Sequence, residues 1–271
     1  MILRTCVVEG LKLRLLHRKA GKVGILLIHG NSSCKEVFSK QFADLAKTEL
    51  GIVVPDLPGH GASDNSNRPS NTYSFPGYAR TLNRLMHALG YASYHVLGWS
   101  LGGHIGIEML ARYRSVRSLL ISGTPPVRLD PEGVAEGFRW TGATALAGRK
   151  RLRSEDLCRY TKAMMGQPLA DGHHLARMAR RTDGNARYWM VANGLAGRGV
   201  DELETVSREE RPIAIIQGRT DPFLRIEYFD QISFKNLWTG RPLLIQAGHA
   251  AHWEAPRVFN QAMMEFVMHA S

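Results

Sequence analysis

The segment that most restricts the fold is Tyr94-His-Val-Leu-Gly-Trp-Ser-Leu-Gly-Gly-His104. An apolar, β-rich stretch runs into Gly98-Trp99-Ser100-Leu101-Gly102, which satisfies G-x-S-x-G, and a helical pattern begins at once. A strand passes directly into a helix only through a sharp turn that strains the central residue. Glycine two positions to either side removes side chains that would collide there. Apolar, β-rich segments recur at 3–8, 11–16, 24–28, 51–55, 94–99, 116–122, 212–217 and 242–246, and these read as strands. Helical spacing lies between several of them, clearest in Tyr78, Leu82, Leu85, Met86 and Leu89. The alternation predicts an α/β fold: a mostly parallel, eight-stranded sheet covered by helices on both faces. Only Glu9 and Gly10 separate the first two strands, so they form a hairpin that adds antiparallel character at one edge.

From residue 125 to 208 the strand rhythm stops and the sequence becomes rich in Arg, Ala, Gly and Met at helical spacing. This reads as a helical lid (cap) inserted after the sixth strand, over the carboxyl edge where open α/β sheets place ligands. The expected organisation is a core of residues 1–124 and 209–271 with a lid of 125–208. A chain of 271 residues with 44% hydrophobic content suffices for one such domain. Cys6, Cys34 and Cys158 are odd in number and widely spaced, which suggests neither a disulfide framework nor a metal site. The N-terminus lacks a signal-like pattern and no stretch is long and apolar enough to span a bilayer, so a cytoplasmic protein without a membrane partner is expected.

The net charge of +11 invites a nucleic-acid reading. Its distribution argues otherwise, because residues 1–124 carry 15 basic and 7 acidic side chains, 125–208 carry 14 and 10, and 209–271 carry 6 and 7. The densest cluster, Arg149, Lys150, Arg151 and Arg153, reads as a solvated face or loop.

A serine hydroxyl needs a base within hydrogen-bond reach and that base needs an orienting carboxylate. Asp221 follows the seventh strand in Gly218-Arg-Thr-Asp-Pro222, whereas Gly123-Thr-Pro-Pro126 leaves the alternative acid position after the sixth strand vacant. After the last strand, Gly248-His249-Ala-Ala-His252 offers two histidines. His249 is the expected base because it directly follows strand and glycine, and His252 is left to shape the pocket or lie on the surface. His104 and His60 are assigned to packing or backbone bonding. The Leu101 N–H, at the start of a helix, is one expected oxyanion donor, and Asn31 in His29-Gly30-Asn31 is the other, through its main-chain N–H or side-chain amide. Pro55-Asp-Leu-Pro-Gly-His-Gly-Ala-Ser63 reads as a scaffold turn.

His29-Gly30-Asn31, Asp56-Leu-Pro-Gly-His-Gly61, Gly98 to Gly103 and Gly248-His249 to Pro256 together resemble the α/β-hydrolase superfamily across nearly the whole chain. Longer stretches, Gly98 to Met109, Gly123-Thr-Pro-Pro-Val127, Arg181-Thr-Asp-Gly184 and Asn236-Leu-Trp-Thr-Gly240, are similar to the metal-independent N-acyl-homoserine lactonases of that fold. The resemblance implies a triad of Ser100, Asp221 and His249, an oxyanion hole of Asn31 and Leu101, and a lid residue, Tyr160, that hydrogen-bonds the substrate. It implies no metal or cofactor, and a small acyl lactone or ester as the partner of a monomer or homodimer. One departure is Asp221, where members of the family carry Glu. Phe138, Trp140, Met164, Met165, Met178, Trp189 and Met190 are the candidate lid residues for an acyl-tail pocket. The competing readings are a general carboxylesterase or carbon–carbon bond hydrolase with the same triad, and a non-catalytic receptor on a hydrolase scaffold.

Overall fold

The structure, a computed structural model, describes every residue except Asp171 and Ser271. The strands are β1 (Ile2–Val8), β2 (Leu11–Arg18), β3 (Val23–Ile28), β4 (Gly51–Pro55), β5 (Ser93–Trp99), β6 (Val116–Ser122), β7 (Ile213–Gly218) and β8 (Leu243–Ile245). They form one sheet in the order β1-β2-β4-β3-β5-β6-β7-β8. β2 pairs antiparallel with β1 and β4, and every other neighbouring pair is parallel. The expected hairpin is present, with positive φ at both Glu9 and Gly10. β4 and β7 are buried along their whole length, as continuous apolar strands covered on both faces should be.

Before β6 lie α1 (Phe42–Leu45), α2 (Pro69–Thr72), α3 (Phe75–Ala88) and α4 (Leu101–Arg112). Between β6 and β7 come α5 (Pro131–Gly137), α6 (Ser154–Met165), α7 (His174–Arg181), α8 (Gly184–Leu195) and α9 (Glu202–Arg208), and α10 (Ala251–Glu254) and α11 (Pro256–His269) close the chain. α3 starts where Ser74 Oγ accepts the Gly77 N–H at 3.1 Å, and its predicted apolar face is real: Tyr78, Leu82, Leu85 and Met86 are fully buried. Burying each such side chain contributes roughly 1.5–3 kcal/mol. α3 packs on α4, α4 lies against β3, β5 and β6, and α11 packs on β7.

The helical segment between β6 and β7 is tied to core loops by buried polar contacts. Asp183 caps α8 by accepting the Asn185 N–H at 2.9 Å, accepts the Tyr73 hydroxyl at 2.8 Å, and donates its own N–H to Gly59 O at 2.8 Å. Arg149, Lys150, Arg151 and Arg153 are exposed, as expected of a solvated segment. No helix among the described residues is long and apolar enough to cross a membrane.

Candidate active site

Ser100 occupies the bend between β5 and α4 with φ 55° and ψ −122°, a strained conformation for a residue bearing a side chain. The flanking glycines are sterically required. A Cβ on Gly98 would lie 2.2 Å from Gly102 O, and one on Gly102 would lie 2.0 Å from Ile28 O. The Ser100 N–H donates to Ser122 O at 2.8 Å and its carbonyl accepts the Thr124 hydroxyl at 2.6 Å, so the bend is pinned to the end of β6.

Asp221 and His249 meet beside it. His249 Nδ1 is 2.8 Å from Asp221 Oδ2, and both side chains are buried. The carboxylate has two further donors: the Phe223 N–H reaches Oδ1 at 2.8 Å and Gln217 Nε2 reaches Oδ2 at 2.9 Å. With Nδ1 as the donor to that carboxylate, the base lone pair falls on Nε2. Among the described residues His249 Nε2 has no hydrogen-bond partner, and His249 and Ser100 line the same cavity. The His249 loop is fixed from behind, since Trp99 Nε1 donates to His249 O at 2.9 Å and the Gly248 N–H donates to Glu254 at 3.0 Å.

Asn31 follows β3 and faces the same space. Its Nδ2 donates to Ala147 O at 2.9 Å and to Tyr160 Oη at 3.2 Å, so the side-chain amide is engaged with the inserted segment. This narrows the sequence expectation, which offered both groups of Asn31: the main-chain N–H is the donor left for a substrate. Leu101 is the first residue of α4, so its N–H has no intrahelical acceptor. Tyr160 is buried, and burial pushes its phenol up to about 12. It therefore keeps its proton, and because Oη accepts from Asn31 that O–H remains available to a ligand.

These groups border a cavity of about 250 Å³ whose lining is largely apolar, formed by Asn31, Ser100, Leu101, Tyr160 and His249 at one end and by Phe75, Val127, Leu129, Val134, Phe138 and Leu195 further on. Phe138, Trp140, Met164 and Met190 line it as expected. Met165, Met178 and Trp189 do not, and pack into the hydrophobic core instead.

Two histidines depart from expectation. His252 neither shapes the pocket nor lies on the surface: it is fully buried among Phe38, Trp99 and Phe259, and burial pushes its imidazole down to about 3. His104 lines the cavity and pairs through Nδ1 with Glu202 at 2.8 Å. His60 follows its assignment, with Nδ1 on Pro58 O at 3.1 Å, and Asp56 anchors the scaffold turn by accepting the Ala62 N–H and the Lys35 N–H, each at 2.8 Å. Sequence reasoning passed over Gln217 and Trp99, though a glutamine ending the otherwise apolar run Ile213 to Ile216 was a visible signal.

Away from the cavity, ligand atoms of Cys34, Glu36 and His174 lie within 4.8 Å of one another, the kind of donor set a soft divalent cation would accept. Lys35 Nζ already sits 2.8 Å from Glu36 Oε1, so an ammonium partly fills that electrostatic role.

A family model of the alpha/beta hydrolase fold matches residues 24–256, and the chain belongs to that family. Among solved structures it is similar to the N-acyl homoserine lactonase AidH complexed with N-hexanoyl homoserine lactone, at 35% identity and a TM-score of 0.94, covering 100% of this chain and 99% of that one. A putative lipase from Acinetobacter baumannii shares the fold at 20% identity and a TM-score of 0.80, covering 99% and 91%. Among curated proteins, a 2-succinyl-6-hydroxy-2,4-cyclohexadiene-1-carboxylate synthase from Pectobacterium atrosepticum is 28% identical over 80% of this chain and 84% of its own length.

Proposed function

We propose that this protein is a serine hydrolase that opens the lactone ring of N-acyl-homoserine lactones. The observation that carries the substrate assignment is the whole-chain likeness to AidH, at a TM-score of 0.94 against 0.80 for the lipase. The chemistry rests on Ser100 and His249, which line one apolar cavity, and on Asp221 hydrogen-bonded behind His249. In this reading residues 1–124 and 209–271 are the catalytic core and 125–208 the lid.

Ser100 Oγ attacks the lactone carbonyl carbon while His249 Nε2 takes the hydroxyl proton, and Asp221 holds the ring and balances the imidazolium. The oxyanion that forms is met by the main-chain N–H groups of Asn31 and Leu101, assisted by the positive end of α4. Collapse breaks the ring C–O bond and His249 returns its proton to the ring oxygen. The product alcohol stays tethered through the acyl group. Water, deprotonated by His249, then cleaves the Ser100 ester and releases the N-acyl-homoserine. Tyr160 donates a hydrogen bond from its hydroxyl to a substrate oxygen, keeping its proton, and ties the lid segment to Asn31 beside the reacting carbonyl. No step calls on a metal or cofactor.

The test is proton release by wild type and Ser100→Ala on N-hexanoyl homoserine lactone, beside p-nitrophenyl butyrate. Lactone opening that falls at least about 1000-fold in the variant is expected. Ester cleavage with no lactone opening would keep the triad and replace the assignment with a general esterase. Binding of the lactone without turnover would favour a receptor.

A further inference from the structure

One polar side chain of the cavity has no part in that chemistry. His104 stands four residues after Ser100, the N-cap of α4, so their backbones lie about 6 Å apart along the helix axis, and both side chains line the cavity. Its Nδ1 lies 2.8 Å from Glu202 Oε1, and the other oxygen of that buried carboxylate accepts the Val127 N–H at 3.0 Å. A carboxylate can only accept, which places a proton on Nδ1, so in the neutral imidazole the lone pair is on Nε2. The imidazole lies flat on Phe75, with centroids 5.1 Å apart at 9°, and faces Phe138 at 5.9 Å, so the ring cannot turn without losing both contacts. Among the described residues Nε2 has no hydrogen-bond partner, and it is not fully buried. Because His104 is a wall of the cavity, that edge opens onto the ligand space, amid the apolar side chains of Phe75, Leu129 and Phe138.

We propose that His104 is a specificity-determining residue whose Nε2 accepts a hydrogen bond from a hydroxyl on the third carbon of the acyl chain. The preferred substrates are then 3-hydroxyacyl homoserine lactones. The inference rests on the lactonase reading and adds to it the class of acyl chain. Reach agrees with the assignment. Five bonds separate the lactone carbonyl carbon from the third acyl carbon, which at the advance of an extended chain is about 6 Å, the same as the rise along α4 from Ser100 to His104. The polarity is selective, because a ring with its proton on Nδ1 offers Nε2 only as an acceptor: a hydroxyl satisfies it, whereas a 3-oxo group or a methylene does not.

The experiment compares kcat/KM for N-(3-hydroxyhexanoyl), N-(3-oxohexanoyl) and N-hexanoyl homoserine lactones by proton release. Wild type is expected to prefer the hydroxylated chain about tenfold, the worth of one desolvated hydrogen bond. In His104→Asn the amide nitrogen takes the place of Nδ1 and keeps Glu202 paired, but nothing replaces Nε2, so the preference ratio falls to about one. His104→Gln, whose amide oxygen reaches the Nε2 position, restores part of the ratio. A ratio of kcat/KM values is insensitive to general loss of folding. Wild type that opens the lactones without preferring the hydroxylated chain, or His104→Asn that keeps the preference, overturns this proposal alone. Wild type that cleaves p-nitrophenyl butyrate but opens none of the lactones overturns the lactonase reading and this inference with it.

Discussion

Gln217 bridges Asp221 to the end of β6. Its Nε2 donates to Asp221 Oδ2 at 2.9 Å, its Oε1 accepts the Gly123 N–H at 2.9 Å, and it is fully buried. Gln217→Met keeps the volume and removes both bonds. One is made to a charged acceptor, worth about 1.5–3 kcal/mol, and the other leaves a buried main-chain donor unpaired at about 1–3 kcal/mol, so the loss is about 2.5–6 kcal/mol. For a domain of this size that lowers the melting temperature by about 5–24 °C. The catalytic effect is smaller, because the Phe223 N–H and His249 still hold Asp221. A loss of about 1.4 kcal/mol in transition-state stabilisation lowers kcat/KM about tenfold. Thermal unfolding followed by circular dichroism and lactone opening in a pH-stat measure the two quantities. Unchanged melting and unchanged kcat/KM together would mean that the Gln217 bridge does not hold the acid. Gln217→Glu sharpens the test: two carboxyls sharing a buried site cannot both ionise freely, so the acidic limb of the rate profile moves to higher pH.

Two other predictions concern the scaffold around the site. His252 has a folded pKa of about 3 against 6.5 in the unfolded chain, so below pH 6.5 the unfolded state binds a proton that the folded state refuses. Its contribution to stability is therefore lost as pH falls from about 6.5 toward 3, by about 2–3 kcal/mol at pH 4.5. His252→Phe should flatten the decline of denaturant-measured stability over that window, and an unaltered slope would refute the linkage. Gly102→Ala drives a Cβ to 2.0 Å from Ile28 O, backbone against backbone. It should destabilise by about 1–3 kcal/mol or more, seen as a shifted chemical midpoint, and a wild-type midpoint would show that the bend is not so constrained.

Most of the fold could be read from the residues because it is written in local patterns. All eight strand segments appear within one to two residues of expectation: the parallel strands buried on both faces leave uninterrupted apolar runs between turns, and the antiparallel β1 and β2 are marked off by the Glu9-Gly10 turn. Ser100, Asp221, His249, Asn31 and Leu101 stand out because each follows a strand at the same edge of the sheet; Ser100, His249, Asn31 and Leu101 line one cavity, and Asp221 meets His249 behind it. What stayed hidden depends on partners distant in sequence. The Gln217–Asp221–Gly123 bridge, the Trp99 donor to His249 O and the His104–Glu202 pair join positions that no periodicity connects. The same holds for the inserted helices, where Met164 reaches the cavity and its neighbour Met165 turns to the core, a choice set by packing rather than composition.

The central claim is that lactone opening passes through an ester on Ser100. Acid quenching of enzyme mixed with excess N-hexanoyl homoserine lactone, followed by mass spectrometry of the Ser100 peptide, tests it most directly. Because the alcohol released by ring opening stays attached to the acyl group, the adduct should carry the full mass of the substrate, and it should be missing in Ser100→Ala. Turnover of the lactone by Ser100→Ala at the wild-type rate, with no adduct on the wild-type peptide, would contradict the account.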